Sequence, residues 1–219
     1  MIETELGNLR RSHYSDEINS SMDGTEVIIM GWVLTIRGHG NISFATIRDK
    51  NGDISVVAKK GDCPDEIREK ISSLKAHSSI AVTGKVKSSE KASSGFEIIP
   101  TELRVFSEVE KTPPFEPTAK TVKNIDTRLE VRPIDLRRKP LQHIFNARSL
   151  VLKSIRDYFY SQKFTEINTP KMIATATEGG AALFAIFYYN KEAFLAQSPQ
   201  LYKEQLTMSF EKVFEIAPI

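Results

Sequence analysis

Three stretches of the chain carry residue types at spacings that could do chemistry. Residues 197–203 (QSPQLYK) place an amide (Gln197), a hydroxyl, a second amide (Gln200) and the cation of Lys203 around one strand-to-helix turn, with Leu201 and Tyr202 between them. Such a set suits a small zwitterion with an acidic side chain, because Lys203 can neutralise the additional carboxylate. From spacing alone the same residues read first as a surface helix, Ser198 capping and Pro199 at its first position, with Gln200 and Lys203 in solvent. Upstream, residues 174–180 (ATATEGG) form a small-residue loop with one carboxylate, Glu178, before two glycines. That loop can close over a ligand, Glu178 answering an ammonium group. The third stretch is 42–48 (ISFATIR), where a two-residue period sets Phe44, Thr46 and Arg48 on one face. A ring beside a guanidinium can stack an unpaired base and hold its phosphate. The alternative is that Phe44 fills an interior, and the sequence leaves both open.

Other chemistries are excluded or weak. Cys63 is the single cysteine, so no intramolecular disulfide exists, and the four histidines at 13, 39, 77 and 143 have no zinc spacing, so no metal site is expected. Gly38-His39-Gly40 resembles half of a dinucleotide fingerprint but opens no helix. Lys85, Lys87 and Lys91 read as a solvated loop. The net charge is only +2, from 30 basic and 28 acidic residues, so affinity for a polyanion must come from local arrangement. The excess gathers in 120–139, where seven basic residues (Lys120, Lys123, Arg128, Arg132, Arg137, Arg138, Lys139) meet three acidic ones. That is the plausible phosphate-facing surface.

These residues need elements to hold them. With 219 residues, 40% of them apolar, 26% charged and 21 Gly plus Pro, the chain has the composition of one large or two small globular domains. No apolar run reaches the ~20 residues of a membrane span, and the N-terminus carries charges where a secretory segment would be apolar, so a soluble, cytoplasmic protein with no membrane partner is expected. Three prolines in 113–117 preclude helix or central strand and mark a linker. Before it, β-rich segments at 26–37, 42–48, 54–58, 79–86 and 96–106, with a helix starting at Pro64 between the third and fourth, give the order of an OB-fold barrel. Asn51-Gly52 reads as the hairpin turn between the second and third strands. Trp32 reads as core, because its strand is apolar on both faces. After the linker, Ile144, Ala147, Val151, Ile155, Tyr158 and Phe159 advance by three or four, so 141–162 is an amphipathic helix. Strands at 164–167, 184–189, 193–197 and 212–216 and a helix over 199–208 complete a mixed β plus α+β chain, whose second sheet is left with exposed edges.

RSHYSDEI at 11–18, GWV at 31–33, FATIRD at 44–49, DLRRKP at 135–140, FTEINTPKMIATATEGG at 164–180 and the run from FLAQSPQLYKE to VFEIAPI together resemble archaeal-type (class IIb) aspartyl-tRNA synthetases, over nearly the whole chain. The resemblance implies an OB-fold anticodon-binding domain at 1–107, a linker at 108–127, and at 128–219 the incomplete start of a class II antiparallel-sheet catalytic domain. It implies that Phe44, Arg48 and Ser55 meet the anticodon, Ser55 standing where the family usually has glutamine. Pro170 would belong to a dimer interface; Glu178, Gln197, Gln200, Leu201, Tyr202 and Lys203 would bind L-aspartate. Asparaginyl enzymes usually carry an acidic residue at position 203, so the lysine favours aspartate. Leu34 and Ser93 stand where enzymes strict for aspartate tRNA have Trp and Lys, which implies tRNA(Asn) as well as tRNA(Asp) as partners. Lys163 stands where family members usually have glycine, and Ala182 where they have glutamate. ATP and Mg2+ are implied cofactors, with the arginines of the second and third motifs and the acidic magnesium ligands lying beyond Ile219. The expectation is that residues 1–219 alone, with no catalytic residue of their own, do not activate aspartate. A non-catalytic OB-fold RNA-binding module is the alternative from another class.

Overall fold

The computed structural model describes residues 7–90, 92, 94–121, 123–174 and 184–217. The chain divides into two compact units, Met1–Arg137 and Arg138–Ile219.

In the first unit, β1 (Glu26–His39), β2 (Ile42–Arg48), β3 (Asp53–Lys59), β4 (Ser79–Ser88) and β5 (Phe96–Ser107) close into a barrel of order β1-β2-β3-β5-β4, with α1 (Asp65–Ser73) between β3 and β4 in sequence. This is the expected OB topology. Alternate residues point inward: Val27, Ile29, Val33, Ala45, Ile47, Ile54, Val56, Ile80, Val82 and Ile98 are all buried, and Ile71 and Leu74 at the end of α1 join them. Each such valine or isoleucine contributes roughly 1.5–3 kcal/mol of burial. The barrel closes tightly at Gly31, where a β-carbon would stand 2.4 Å from the carbonyl oxygen of Arg48.

One irregularity in β1 decides what faces outward. The β1–β2 register runs Trp32↔Arg48 and Val33↔Ile47, then shifts, and resumes with Thr35↔Thr46, Ile36↔Ala45 and Arg37↔Phe44. Leu34 is the extra residue. Inward positions therefore change from odd (Val27, Ile29, Val33) to even (Ile36 packs on the core), and Thr35 and Arg37 join Trp32 on the outer side. Trp32 is accordingly not core. It is half-buried, and the guanidinium carbon of Arg137 lies 4.1 Å from its ring centroid.

The turn after β2 is not the two-residue Asn-Gly loop read from the sequence. Arg48 pairs with Asp53, leaving four residues in the turn, and Asp49 builds it: Oδ1 accepts from the backbone N–H groups of Asn51 (2.7 Å) and Gly52 (3.0 Å). The same carboxylate accepts from the Ser15 N–H (2.7 Å) and hydroxyl (2.6 Å), tying the segment before β1 to the turn. Burial pushes the Asp49 carboxyl up, but these four hydrogen bonds outweigh it and hold it below its ordinary range.

The described residues of 108–124 form no helix or strand, in keeping with the three prolines at 113–117, yet several of them pack on the barrel. Lys70 pairs with Glu108 at 2.7 Å, the His77 ring with Glu116 at 3.0 Å, and Phe115 is buried. Two short helices follow, α2 (Ile125–Glu130) and α3 (Arg132–Asp135). Asp135 is fully buried and is gripped by Arg128 and Arg132. Burial alone would raise its carboxyl; the hydrogen bonds and charges of the two arginines bring it below the usual range. The basic run at 120–139 is thus not one phosphate-facing surface. Arg128 and Arg132 are engaged by Asp135, and Arg137 by Trp32.

The second unit opens with α4 (Lys139–Ser161). It ends in a Schellman turn: Phe164 N–H donates to Phe159 C=O (3.0 Å), Lys163 N–H donates to Tyr160 C=O (3.0 Å), and Lys163 takes φ 63°. Phe159 then packs on Phe164 and stacks on Phe214, with centroids 5.0 and 4.7 Å apart. Two small sheets follow. β6 (Thr165–Glu166) pairs parallel with β10 (Val213–Phe214), while β7 (Met172–Ile173), β9 (Lys191–Leu195) and β8 (Ala185–Tyr188) form an antiparallel sheet in that order. β7, two residues long, was not expected. Helix α5 (Gln200–Phe210) lies between β9 and β10 in sequence. The apolar stripe of α4 is open, with Ile144, Leu150, Val151 and Tyr158 all more than half exposed. Among the described residues no helix is long and apolar enough to cross a membrane.

Candidate functional site

On the outer side of the barrel, three strands build a cavity of about 410 Å³ lined by Thr35, Arg37 and Gly38 of β1, Phe44 and Thr46 of β2, and Ser55 of β3. The ladders set these side by side: Arg37 opposite Phe44, Thr35 opposite Thr46, Thr46 opposite Ser55. Thr35 donates its hydroxyl to that of Thr46 at 3.1 Å. Phe44 is 42% exposed and so faces the cavity, not the barrel interior. Arg37 is exposed and has no ion-pair partner among the described residues. A ring, a free guanidinium and three hydroxyls suit a flat, unstacked base and its phosphate.

Arg48 is placed otherwise. It is 6% exposed, donating from Nε and Nη2 to both oxygens of Asp53 at 2.6 and 2.8 Å. The two-residue period fails at the strand end because a neighbouring carboxylate draws the guanidinium in, and the cation beside Phe44 is Arg37. Period counting along β1 conceals Arg37, since only the bulge at Leu34 turns it outward. Leu34 itself is half-buried; Ser93 lies outside the described residues.

In the second unit, Gln200, Lys203 and Glu204 share one face of the first turn of α5 by their i, i+3, i+4 spacing. Gln200 donates from Nε2 to Glu204 Oε1 at 2.9 Å, and its backbone N–H donates to Ser198 Oγ at 3.3 Å. Pro199 is the N-cap, so Ser198 makes a local turn bond one residue earlier than read from the sequence. Lys203 and Tyr202 are half-buried, Leu201 is 46% exposed, and Gln197 precedes the helix in an exposed bend. Glu178 and Ala182 lie outside the described residues. Pro170 is exposed. Its neighbours are fixed by Glu215, which accepts from the Thr169 N–H at 2.9 Å and from Lys171 Nζ at 2.8 Å. Lys171 in turn accepts at its carbonyl from Ala196 N–H at 3.0 Å, the residue before Gln197. No group of three His, Cys, Asp or Glu among the described residues converges to hold a metal ion.

Comparison with known proteins agrees with both units. Residues 27–106 match the family described as OB-fold nucleic acid binding domain, and residues 124–219 match tRNA synthetases class II (D, K and N). The chain is 51% identical over 211 residues to the Aspartate--tRNA(Asp/Asn) ligase of Methanocaldococcus jannaschii, covering 96% of this chain and 48% of that protein. It is 46% identical over 215 residues to the ligase of the same name from Methanothermobacter thermautotrophicus, covering 98% and 49%. The chain thus spans about half the length of these relatives. Among solved structures, the asparaginyl-tRNA synthetase of Pyrococcus horikoshii complexed with asparaginyl-adenylate matches with TM-score 0.85 at 30% identity, over 96% of this chain and 48% of that one. The aspartyl-tRNA synthetase of Entamoeba histolytica matches with TM-score 0.75 at 28% identity, over 94% and 45%. A barrel with an outer cavity and a downstream segment of the class II D, K and N type thus meet in one chain, which is similar over 96% of its length to about half of an archaeal aspartate–tRNA ligase.

Proposed function

We propose that this chain serves in the ATP-dependent activation of L-aspartate and its transfer to tRNA(Asp) and tRNA(Asn). The observation that carries the reading is the cavity where Arg37 and Phe44 stand opposed, with Thr46 and Ser55 beside them, on an OB barrel within a chain about half identical to ligases named for both tRNAs. The division into an anticodon-binding domain at 1–107, a linker at 108–127 and the start of a catalytic domain at 128–219 is supported by family matches that end at 106 and begin again at 124. Phe44 stacks one anticodon base, Arg37 holds its phosphate, and Ser55 offers its hydroxyl to a base edge. Leu34 and Ser93 stand in place of the Trp and Lys of stricter enzymes, which fits charging of both tRNAs.

In the second unit, Lys203 meets the aspartate side-chain carboxylate, with Gln200, Gln197 and Tyr202 around it, and Glu178 takes the ammonium group. Activation makes a bond from the aspartate α-carboxylate to the ATP α-phosphorus and releases pyrophosphate; a tRNA ribose hydroxyl then takes the aspartyl group and releases AMP. The open stripe of α4 and the exposed Pro170 suit a homodimer interface. The cytoplasm is the expected location.

ATP–pyrophosphate exchange tests the reading. Residues 1–219 alone give no aspartate-dependent exchange, whereas a polypeptide extended to the relatives' length supports it with aspartate and not asparagine. A preference for asparagine would favour the asparaginyl reading, which the Pyrococcus likeness keeps in view; Lys203→Glu is expected to move the preference that way.

A further inference from the structure

Arg137 has no part in the cavity, yet it is held as few surface arginines are. Its guanidinium lies over Trp32, and its Nη1 is buried with no hydrogen-bond partner among the described residues. An N–H kept from water without a partner is costly, so the stacking contact must hold it there. What it holds is Trp32, which together with Val33 precedes the β1 irregularity. Val33 is fixed from the other side, since its carbonyl accepts from the His77 N–H at 2.6 Å and its own N–H donates to the Ser78 carbonyl at 2.9 Å. His77 takes φ 71° in doing so. Trp32 and Val33 are therefore pinned immediately before the bulge. A one-residue slip beyond that point would turn Thr35 and Arg37 inward and Ile36 outward.

We infer that Arg137 is a positioning residue for RNA recognition: stacked on Trp32, it keeps the β1 bulge in the register that presents Thr35 and Arg37 to the cavity beside Phe44. The inference rests on the reading of that cavity as the anticodon face. Arg137 is not among the residues lining the cavity, so it acts through the strand and not by touching RNA.

The test uses the whole 219-residue chain and a fluorescently labelled anticodon stem–loop of an aspartate tRNA, titrated by anisotropy over a range of salt concentrations. Arg137→Met is expected to weaken binding about fivefold or more while leaving the slope of log Kd against log salt unchanged, because a guanidinium stacked on Trp32 outside the cavity meets no phosphate. Arg37→Ala, which removes the cavity's own cation, lowers that slope by about one. Arg137→Lys keeps the charge and the stem but loses the plane, and also weakens binding; it carries the test if Arg137→Met fails to fold by far-UV circular dichroism. Trp32 is the sole tryptophan, so its emission reports the stack directly and shifts in both Arg137 variants. Wild-type affinity in both variants overturns the proposal, as does a slope lowered by about one in Arg137→Met, which would make Arg137 a phosphate contact. If the wild-type chain binds no stem–loop, the cavity's reading falls and the proposal with it, while an emission shift in the variants would still show the stack as a structural element.

Discussion

Arg37 and Phe44 stand directly opposite each other on β1 and β2 and line one cavity, the ring exposed and the guanidinium without an acidic partner among the described residues. A base stacked on an aromatic side chain is worth about 1–3 kcal/mol. Phe44→Ala is therefore expected to weaken anticodon stem–loop binding by about tenfold or more. Since the ring is outside the core, urea unfolding of the variant should keep nearly the wild-type midpoint.

The opposite pattern is expected for Asp53→Ala. The Arg48 guanidinium it satisfies is 7% exposed in its side chain, and removing the carboxylate leaves that cation buried and unpaired. Losses of about 3–5 kcal/mol are typical of removing one partner of a fully buried pair, and the loss here is smaller because Asp53 is 28% exposed. Chemical unfolding should show the loss, with stem–loop affinity unchanged once measured under conditions where the barrel is folded.

Acid should loosen the segment before β1. The Asp49 carboxyl is lowered from its ordinary 3.8 because the hydrogen bonds from Ser15, Asn51 and Gly52 outweigh burial. A depressed folded-state value means that the stabilisation is complete above about pH 4 and is lost as pH falls through the lower, folded value. Asp49→Asn is less stable at neutral pH, and its deficit against wild type narrows below about pH 4. Unfolding midpoints of the two proteins across that range check both statements.

Lys163 occupies the left-handed position of the Schellman turn at the end of α4. A lysine there is strained relative to glycine, so Lys163→Gly should raise the stability of the second unit by roughly 0.5–1 kcal/mol, read as a higher thermal midpoint.

Much of this was legible in the sequence, and what was not has physical causes. The five barrel strands and α1 are encoded by local alternation, and their observed ends lie within a residue or two of the expected ones. The placing of Phe44 and Thr46 on one face also follows from that period, while the direction of that face stays open until the barrel is seen. Three things do not. The bulge at Leu34 is invisible to period counting, so Arg37 is passed over and Trp32 misread as core. The capture of Arg48 by Asp53 and of Arg128 and Arg132 by Asp135 depends on which carboxylate the fold brings near, which charge runs do not state. Finally, β7 is two residues long and paired with the distant β9, too short to carry a pattern of its own.

On the proposed function, the barrel's outer cavity accepts the anticodon loops of both aspartate and asparagine tRNAs. Competition binding of the 219-residue chain against unlabelled stem–loops tests this most directly. The loops of aspartate and asparagine tRNAs should displace the labelled aspartate loop with affinities within a few-fold of each other, and loops from unrelated tRNAs should be at least about tenfold weaker. Equal displacement by every loop, or an undiminished affinity in Phe44→Ala, would contradict it.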